Sequence, residues 1–464
     1  MYFTELRFIV FFAVVWAVHW SLRGHGARKT WLLAASYAFY AGWDWRFLGL
    51  IVLSTVVDYA AGLKLGSDRV SAGGRRAWLV ASLAVNLGVL GLFKYFDFFV
   101  DSAAGLLTAL GLQANELTLR LVLPVGISFY TFQTLSYTID VYRGKLETCR
   151  NPRDFALFVA FFPQLVAGPI VRAADFLPQL KVQRRWNEPQ YRTLAYLFLA
   201  GFIKKACVAD NLARFVDEVY SDPSKHDALT LAVGSFATYV QVYCDFSGYT
   251  DMALAAAGML GYGLCINFDF PIFARSVTRF WGRWHISLGS WFRDYLYIPL
   301  GGSRHGEWRT RFNLLAVFLL CGLWHGANWT FIAFGGYVGL LLIAERLGQV
   351  RSWIERTPVG VLYNWAAIGV AMVYFRSPDI GAAHDYLTGV VVPTTEAGRH
   401  VELWPWLTIL GVFLAAHWVC YRRIGFARFE ALPTWFRDLA FGAAIALALP
   451  WTAPTYQPFI YFQF

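Results

Sequence analysis

The sequence predicts an all-α polytopic membrane protein, and the prediction rests on composition, charge distribution and long apolar segments. Of the 464 residues, 57% are hydrophobic and 15% are charged. An average soluble domain has about 45–50% apolar and about 25% charged residues. A membrane span needs about twenty mostly apolar residues, so this composition provides for roughly ten to thirteen spans. Little sequence is left for a soluble domain, and we expect one integral-membrane domain over residues 1–464.

The charged residues predict the orientation of the chain. Lys and Arg number 40 against 30 Asp and Glu, a net charge of +10. Basic loops on the cytoplasmic side of a membrane explain this excess better than nucleic-acid binding does. Such loops occur at 23–29, 64–76, 143–153, 172–186, 303–311, 346–356 and 421–428. With these loops inside, both termini of a multi-pass membrane protein are expected to lie outside.

Apolar segments predict where the spans lie. Single spans are expected near 6–22, 30–43, 47–63, 77–100, 119–141, 359–375, 404–420 and 436–452. Residues 312–345 predict a helical hairpin interrupted around Trp324–Asn328. Residues 154–171 lie between two basic loops and contain Pro163 and Pro169, which predicts a re-entrant or broken segment.

Residues 228–302 break the regular pattern most strongly, because charged and polar residues interrupt their apolar runs. Irregular polar backbone at membrane depth is tolerated only where it is buried in protein or lines a wet cavity. We therefore expect function in this region. The six cysteines form no CxxC pair and lie mostly in apolar segments, so small core residues are favoured over disulfides or metal ligands. No metal and no bound cofactor is expected.

The densest polar run is Arg279–Gly302, which contains His285, Arg293 and Asp294. An ionisable group within a membrane is costly and is a functional hypothesis by default. Two alternatives stay open. Arg293 and Asp294 also fit a structural ion pair, and His285 also fits a core histidine whose ring is satisfied by its neighbours.

His325 lies in a second polar motif, Cys321–Trp329, at the break of the apolar hairpin. Because desolvation disfavours imidazolium, a buried histidine is expected to stay neutral near neutral pH. A neutral imidazole accepts a proton from a hydroxyl group, as acylation of an alcohol requires. Two histidines in two irregular membrane segments make a stronger case than either alone.

Further charged residues lie in other apolar segments. Asp245 and Asp251 are six residues apart, so they do not share a helical face. One of them could orient a histidine or an arginine, and the alternative is polar contact between helices. For Lys204 and Lys205, snorkelling to the membrane interface is the simpler interpretation, and contact with lipid phosphate or a cofactor is the other.

Several motifs, in this order, resemble the membrane-bound O-acyltransferase (MBOAT) family. The match is closest to the bacterial subgroup of alginate O-acetyltransferases, which is related to the D-alanyl transferase of teichoic acid. The motifs are Leu123–Gln133, Phe162–Ile170, the Asp245–Asp251 run, Arg283–Leu288, Leu323–Gly326 and Pro458–Phe464. The likeness covers nearly the whole chain.

The resemblance implies the MBOAT fold, with roughly 11–13 transmembrane helices and re-entrant segments around a central channel. It implies catalytic roles for His325 and His285, a cytoplasmic acyl donor, and an acceptor on the opposite side. The expected donor is acetyl-CoA, with an acyl carrier protein as the alternative. The acceptor is a periplasmic partner that passes the acetyl group on, or the polysaccharide itself. Residues expected to bind substrate or stabilise the oxyanion are Asp245, Trp284, Arg293, Asp294, Trp324 and Asn328.

Other mechanisms and functions remain as alternatives to direct transfer of the acyl group to a hydroxyl. A covalent acyl-histidine and D-alanyl transfer from a carrier protein are variants of the same chemistry. A transporter also has charged residues in broken membrane segments, although no inverted repeat is evident here. A scaffold subunit of a polysaccharide export complex would not need both histidines.

Overall fold

The computed structural model describes residues 2–112, 118–165, 168–186, 188–392, 401–454 and 457–460. Every regular element in these ranges is a helix. The chain divides into two compact units: Met1–Leu194 with Ala253–Cys265, and Ala195–Met252 with Ile266–Phe464. Each unit is described by itself, and the expectation of a single domain stays a prediction.

The first unit contains most of the spans expected in the first half of the chain. Its helices are Leu6–Ser21, His25–Asp44, Leu48–Leu65, Ala72–Leu90, Phe96–Ala109, Ile127–Tyr142, Pro152–Ala160, Phe162–Leu165, Ala173–Lys181 and the start of Glu188–Phe202. The helix Ile127–Tyr142 is almost entirely buried and packs against the helices Leu48–Leu65 and Ala72–Leu90. The broken segment expected at 154–171 is confirmed where the structure describes it, because Phe161 separates two short helices.

The span expected at 119–141 is wrong at its start. Residues 118–126 are not helical, and the helix begins only at Ile127. Pro124 disfavours helical backbone at the residue before it, and Gly126 has a left-handed φ of +77°. Hydropathy alone runs through this turn without a break, which explains why the expected span was too long.

The second unit contains the polar motifs. Its α-helices are the end of Glu188–Phe202, Asp210–Ser221, most of Ala228–Met259, Val277–Trp281, Ile286–Phe292, Gly306–His325, Trp329–Glu345, Val350–Arg356, Val359–Arg376, Ile380–Val391, Trp404–Tyr421, Phe426–Glu430 and Thr434–Ala448. Wider π-helical stretches occur at Ile203–Ala209 and Arg293–Tyr297. The interrupted hairpin is confirmed, since one helix ends at His325 and the next begins at Trp329.

The region 228–302 is less irregular than expected. Residues 228–259 form one continuous helix of 32 residues, so the expectation of an interrupted segment is wrong there. Asp245 and Asp251 in this helix each pair with a lysine, as described below. From residue 260 to 305 the chain is irregular and holds only short helices, as expected.

Four helical stretches of the described chain are long and apolar enough to cross a membrane. They are His25–Leu65, Ala72–Ala109, Val359–Arg376 and Trp404–Tyr421. A fifth is the pair Trp329–Glu345 and Val350–Arg356, bent by 90°, if the pair is taken as one span. The protein is therefore an all-α multi-pass membrane protein, and the expected number of roughly 11–13 spans stays a prediction.

Candidate active site

His285 precedes the short helix Ile286–Phe292 in a strained conformation. Its φ of +43° lies in the left-handed region, which costs a non-glycine residue about 1–3 kcal/mol. Asn267 stabilises the turn: its carbonyl accepts from the Ile286 N–H at 3.0 Å, and its Oδ1 accepts from the Ser287 N–H at 3.0 Å. The His285 side chain is buried, with its ring edge-on to Phe246 at 4.7 Å between centroids.

His325 is the last residue of the helix Gly306–His325 and is also buried. Its ring contacts those of Phe334 and Phe375, at 5.8 and 5.5 Å between centroids. The Cys321 thiol, one turn earlier, lies 3.9 Å from His325 Nε2. This surrounding is apolar and aromatic, which keeps bulk water from the imidazole.

Trp324 joins the two histidines into one site. Its ring lies 5.8 Å from that of His285 and 5.0 Å from that of His325, measured between centroids. All three side chains are buried, with exposed fractions of 1–3%. The structure thus brings together three of the site residues expected from sequence, although 39 positions separate the tryptophan from the first histidine.

Close packing places His325 beside the second helix of its hairpin. A Cβ atom at Gly322 would collide with the carbonyl of Phe331, and one at Gly335 would collide with the carbonyl of Phe318. Only glycine at these two positions allows the backbones to approach so closely. The site is therefore held by backbone-to-backbone packing one turn away from the imidazole.

Trp284 and Asp245 are sequence neighbours of His285 and of Phe246, which contacts His285. Trp284 stacks on Phe280 at 5.2 Å and is edge-on to Phe268 at 5.1 Å. Asp245 precedes Phe246, but its carboxylate pairs with Lys205 at 2.7 Å. This contact between segments is the second of the two alternatives open from the sequence. A contact with substrate stays a prediction for Asp245 and Trp284.

Arg293 and Asp294 pair with each other, since Arg293 Nε lies 2.7 Å from Asp294 Oδ1. The arginine side chain is 62% exposed, and the helix Ile286–Phe292 separates it from His285 by about 10 Å of helical rise. This geometry fits the structural ion pair that the sequence left open. A contact with substrate stays a prediction for both residues.

Asn328 has a structural task at the break of the hairpin. Its Oδ1 accepts from the Thr330 N–H at 3.0 Å and so caps the helix Trp329–Glu345, while its Nδ2 donates to the carbonyl of Pro378 at 2.8 Å. The amide thus orders the backbone that follows His325. A role in stabilising an oxyanion stays a prediction.

The interpretation of Lys205 as a snorkelling residue is wrong. Its side chain is 3% exposed, and its Nζ lies 2.7 Å from both Asp210 Oδ1 and Asp245 Oδ1 and 2.9 Å from the carbonyl of Gln457. Asp245 Oδ2 also accepts from the Ile460 N–H at 2.8 Å. We call Lys205, Asp210 and Asp245 the Lys205 cluster. A charged residue within a membrane is costly unless it is paired. The sequence could therefore have indicated that Lys205 pairs with acidic residues.

Glu345 is a second residue that the sequence did not reveal. Its buried carboxylate accepts from the N–H groups of Val277 and Thr278, at 2.7 and 2.9 Å, and from the Thr278 hydroxyl at 2.6 Å. It thereby anchors the start of the segment that leads to Trp284 and His285. A lone acid at the end of an apolar helix is the sequence signal that marks it.

The sequence model of the family described as MBOAT, membrane-bound O-acyltransferase, matches residues 146–376, which include both histidines. A probable alginate O-acetylase AlgI of Azotobacter vinelandii is 43% identical over 359 residues, 77% of this chain and 71% of that protein. The chain belongs to the membrane-bound O-acyltransferase family. As a member of it, the protein is an acyltransferase, and the transporter and scaffold readings are set aside.

Two further relatives show how broad the chemistry of similar MBOAT proteins is. A peptidoglycan O-acetyltransferase of Helicobacter pylori is 35% identical over 402 residues, 78% of this chain and 73% of that protein. A teichoic acid D-alanyltransferase of Bacillus subtilis is 25% identical over 272 residues, 54% of this chain and 66% of that protein. The resemblance inferred from the motifs is confirmed, including its more distant D-alanyl branch.

The geometry suits acyl transfer by the MBOAT enzyme. A neutral imidazole is a base for a hydroxyl group, and a site surrounded by aromatic side chains excludes the water that would hydrolyse an acyl donor. Among the described residues no group of three or more His, Cys, Asp or Glu side chains is placed to hold a metal ion. The two histidines are candidate groups for moving a proton in this site.

Proposed function

We propose that this protein transfers an acetyl group from acetyl-CoA, taken up at the cytoplasmic face of a bacterial inner membrane, to hydroxyl groups of an extracytoplasmic polysaccharide such as alginate. The group passes to the polymer directly or through a periplasmic partner. The observation that carries the proposal is the pair of buried histidines joined by Trp324 in an MBOAT chain. The relatives named for O-acetylation of alginate and of peptidoglycan support the substrate class.

The proposed reaction is a direct transfer. The acceptor hydroxyl docks beside His325, whose imidazole takes the proton as the oxygen attacks the thioester carbonyl. The tetrahedral intermediate collapses, the carbon–sulfur bond breaks, and the proton passes from the imidazolium to the CoA thiolate. His285 orients the donor or assists the proton transfer. The ester, the free thiol and neutral His325 are the products of one cycle.

The cytoplasmic orientation of the donor rests on charge. With the basic loops inside, loops such as 143–153 and 346–356 attract the phosphates of CoA, or equally an acidic carrier protein. The relatives named for O-acetylation are more similar to this chain than the teichoic acid D-alanyltransferase is, which favours an acetyl donor. Acetyl-CoA is therefore the proposed donor. With the basic loops inside, both termini are proposed to lie outside.

The test is acetyl transfer by purified protein in nanodiscs with radiolabelled acetyl-CoA and a polysaccharide acceptor. Because a general base contributes about 10²–10⁴-fold, His325→Ala is expected to lower transfer at least about 100-fold. His285→Ala is expected to lower it as well. His226→Ala, a buried histidine outside the site, is the matched control and is expected to keep wild-type activity.

Separate outcomes test the separate parts of the proposal. Wild-type rates in folded His325→Ala would contradict the mechanism. Transfer from an acyl carrier protein, with none from acetyl-CoA, would contradict the proposed donor. Label that reaches the polymer only after a periplasmic fraction is added would select the route through a partner.

A further inference from the structure

A half-open cavity of about 740 Å³ lies in the second unit. Its walls come from the π-helical stretch Ile203–Ala209, the helices Trp404–Tyr421 and Thr434–Ala448, and the irregular segment around Phe268. The wall is mostly apolar, and neither histidine of the active site is among the described residues that line it. The volume falls within the range of about 300–1,000 Å³ that is common for small-molecule sites.

The mouth of this cavity is apolar. Three lining residues, Val412, Leu447 and Trp451, are 65, 73 and 69% exposed. Val412 belongs to the helix Trp404–Tyr421, one of the stretches long and apolar enough to cross a membrane. In a bilayer these exposed side chains meet lipid hydrocarbon, so the cavity opens towards acyl chains.

One corner of the cavity is polar. Lys204 Nζ pairs with Asp251 Oδ2 at 2.5 Å, and both side chains line the cavity. Beside them the Tyr243 hydroxyl lies 3.0 Å from His417 Nε2. An ammonium has three N–H donors, so Lys204 has capacity for an oxygen acceptor in addition to Asp251. A ligand with a long apolar part and an oxygen-bearing end matches this arrangement.

We propose that this cavity binds a membrane phospholipid, with an acyl chain along the apolar wall and an ester or phosphate oxygen near Lys204. The lipid-facing mouth gives the chain a direct route from the bilayer. The charged phosphates and nucleotide of acetyl-CoA, the proposed donor, suit this mostly apolar wall less well than an acyl chain does. This lipid site is separate from the histidine pair and does not depend on the proposed acetyl transfer.

Neighbouring alanines on one helix provide a matched test. Ala415 and Ala416 are both exposed on the same helix, but Ala416 is among the described residues that line the cavity and Ala415 is not. Protein purified in mild detergent would be incubated with phosphatidylethanolamine and analysed by native mass spectrometry. The wild type and Ala415→Trp are expected to retain one phospholipid, and Ala416→Trp is expected to retain at least about tenfold less.

A second variant and a second probe complete the test. Cys420→Phe fills the same cavity from another position and is expected to lower retention in the same way, with the thermal stability of each variant confirming its fold. Equal retention by Ala415→Trp and by folded cavity-filled variants would overturn the proposal. Retention of oleic acid without phosphatidylethanolamine would overturn the assignment to a phospholipid.

Discussion

Lys205→Met removes a buried ammonium and leaves two carboxylates facing each other. Asp210 and Asp245 are 4 and 3% exposed, and each has an oxygen 2.7 Å from the lysine Nζ. Breaking a buried ion pair by removing one partner costs about 3–5 kcal/mol, because the charge that remains is uncompensated. In a cooperative unit as large as the second unit, each kcal/mol of lost stability lowers the melting temperature by about 2 °C. We therefore expect the melting temperature of Lys205→Met to be about 6–10 °C lower than that of the wild type.

The assay is thermal unfolding of the detergent-purified protein, followed by the loss of its monodisperse peak after heating. Lys225→Met is the control, because that lysine side chain is 65% exposed in its pair with Asp222 and is expected to contribute little to stability. The triple variant Lys205→Met/Asp210→Asn/Asp245→Asn removes all three charges and is expected to regain most of the lost stability. A melting temperature of Lys205→Met within about 1 °C of wild type, or no recovery in the triple variant, would refute the reasoning.

Three further substitutions test the structures around the histidines. Gly335→Ala places a methyl group against the carbonyl of Phe318, so we expect lower thermal stability and loss of acyl transfer, whereas unchanged values would contradict the close packing of the hairpin. Asn328→Ala removes a helix cap and is expected to cost about 1 kcal/mol, seen as a melting temperature about 2 °C lower, with Asn328→Asp keeping the cap. Glu345→Gln retains the size of the side chain but weakens its hydrogen bonds to Val277 and Thr278. We expect a large loss of acyl transfer with a small loss of thermal stability. A large loss of stability with little loss of transfer would show that Glu345 stabilises the fold and does not position the segment that leads to His285.

The positions of the helices could largely be predicted, because a long apolar run leaves the backbone few alternatives in a membrane. The break after His325 was also visible in the sequence, as a cluster of polar and small residues. The start of the helix at Ile127 was missed because hydropathy does not register the turn at Gly126. Local backbone rules at Pro124 contain that information.

The two histidines could be named from the sequence, but their contact through Trp324 is a tertiary feature that the sequence pattern does not contain. The lysines show the same limit. Lys204 and Lys205 are neighbours, yet they pair with different acids, Asp251 and Asp245. Both lie in a π-helical stretch, where the wider turn changes the directions of successive side chains. The hydropathy of the sequence does not predict such a stretch.

The Lys205 cluster imposes an order on the biogenesis of the protein. Its contacts to Gln457 and Ile460 join positions that are 252 and 215 residues apart along the chain. At about 5–20 residues per second, ribosomal synthesis needs about 10–50 s to pass from Lys205 to the segment that completes its environment. During that time the lysine and its acids enter the membrane with an incomplete set of hydrogen bonds. The second unit therefore cannot reach its final packing helix by helix as it is inserted, and its last step awaits the arrival of residues 457–460.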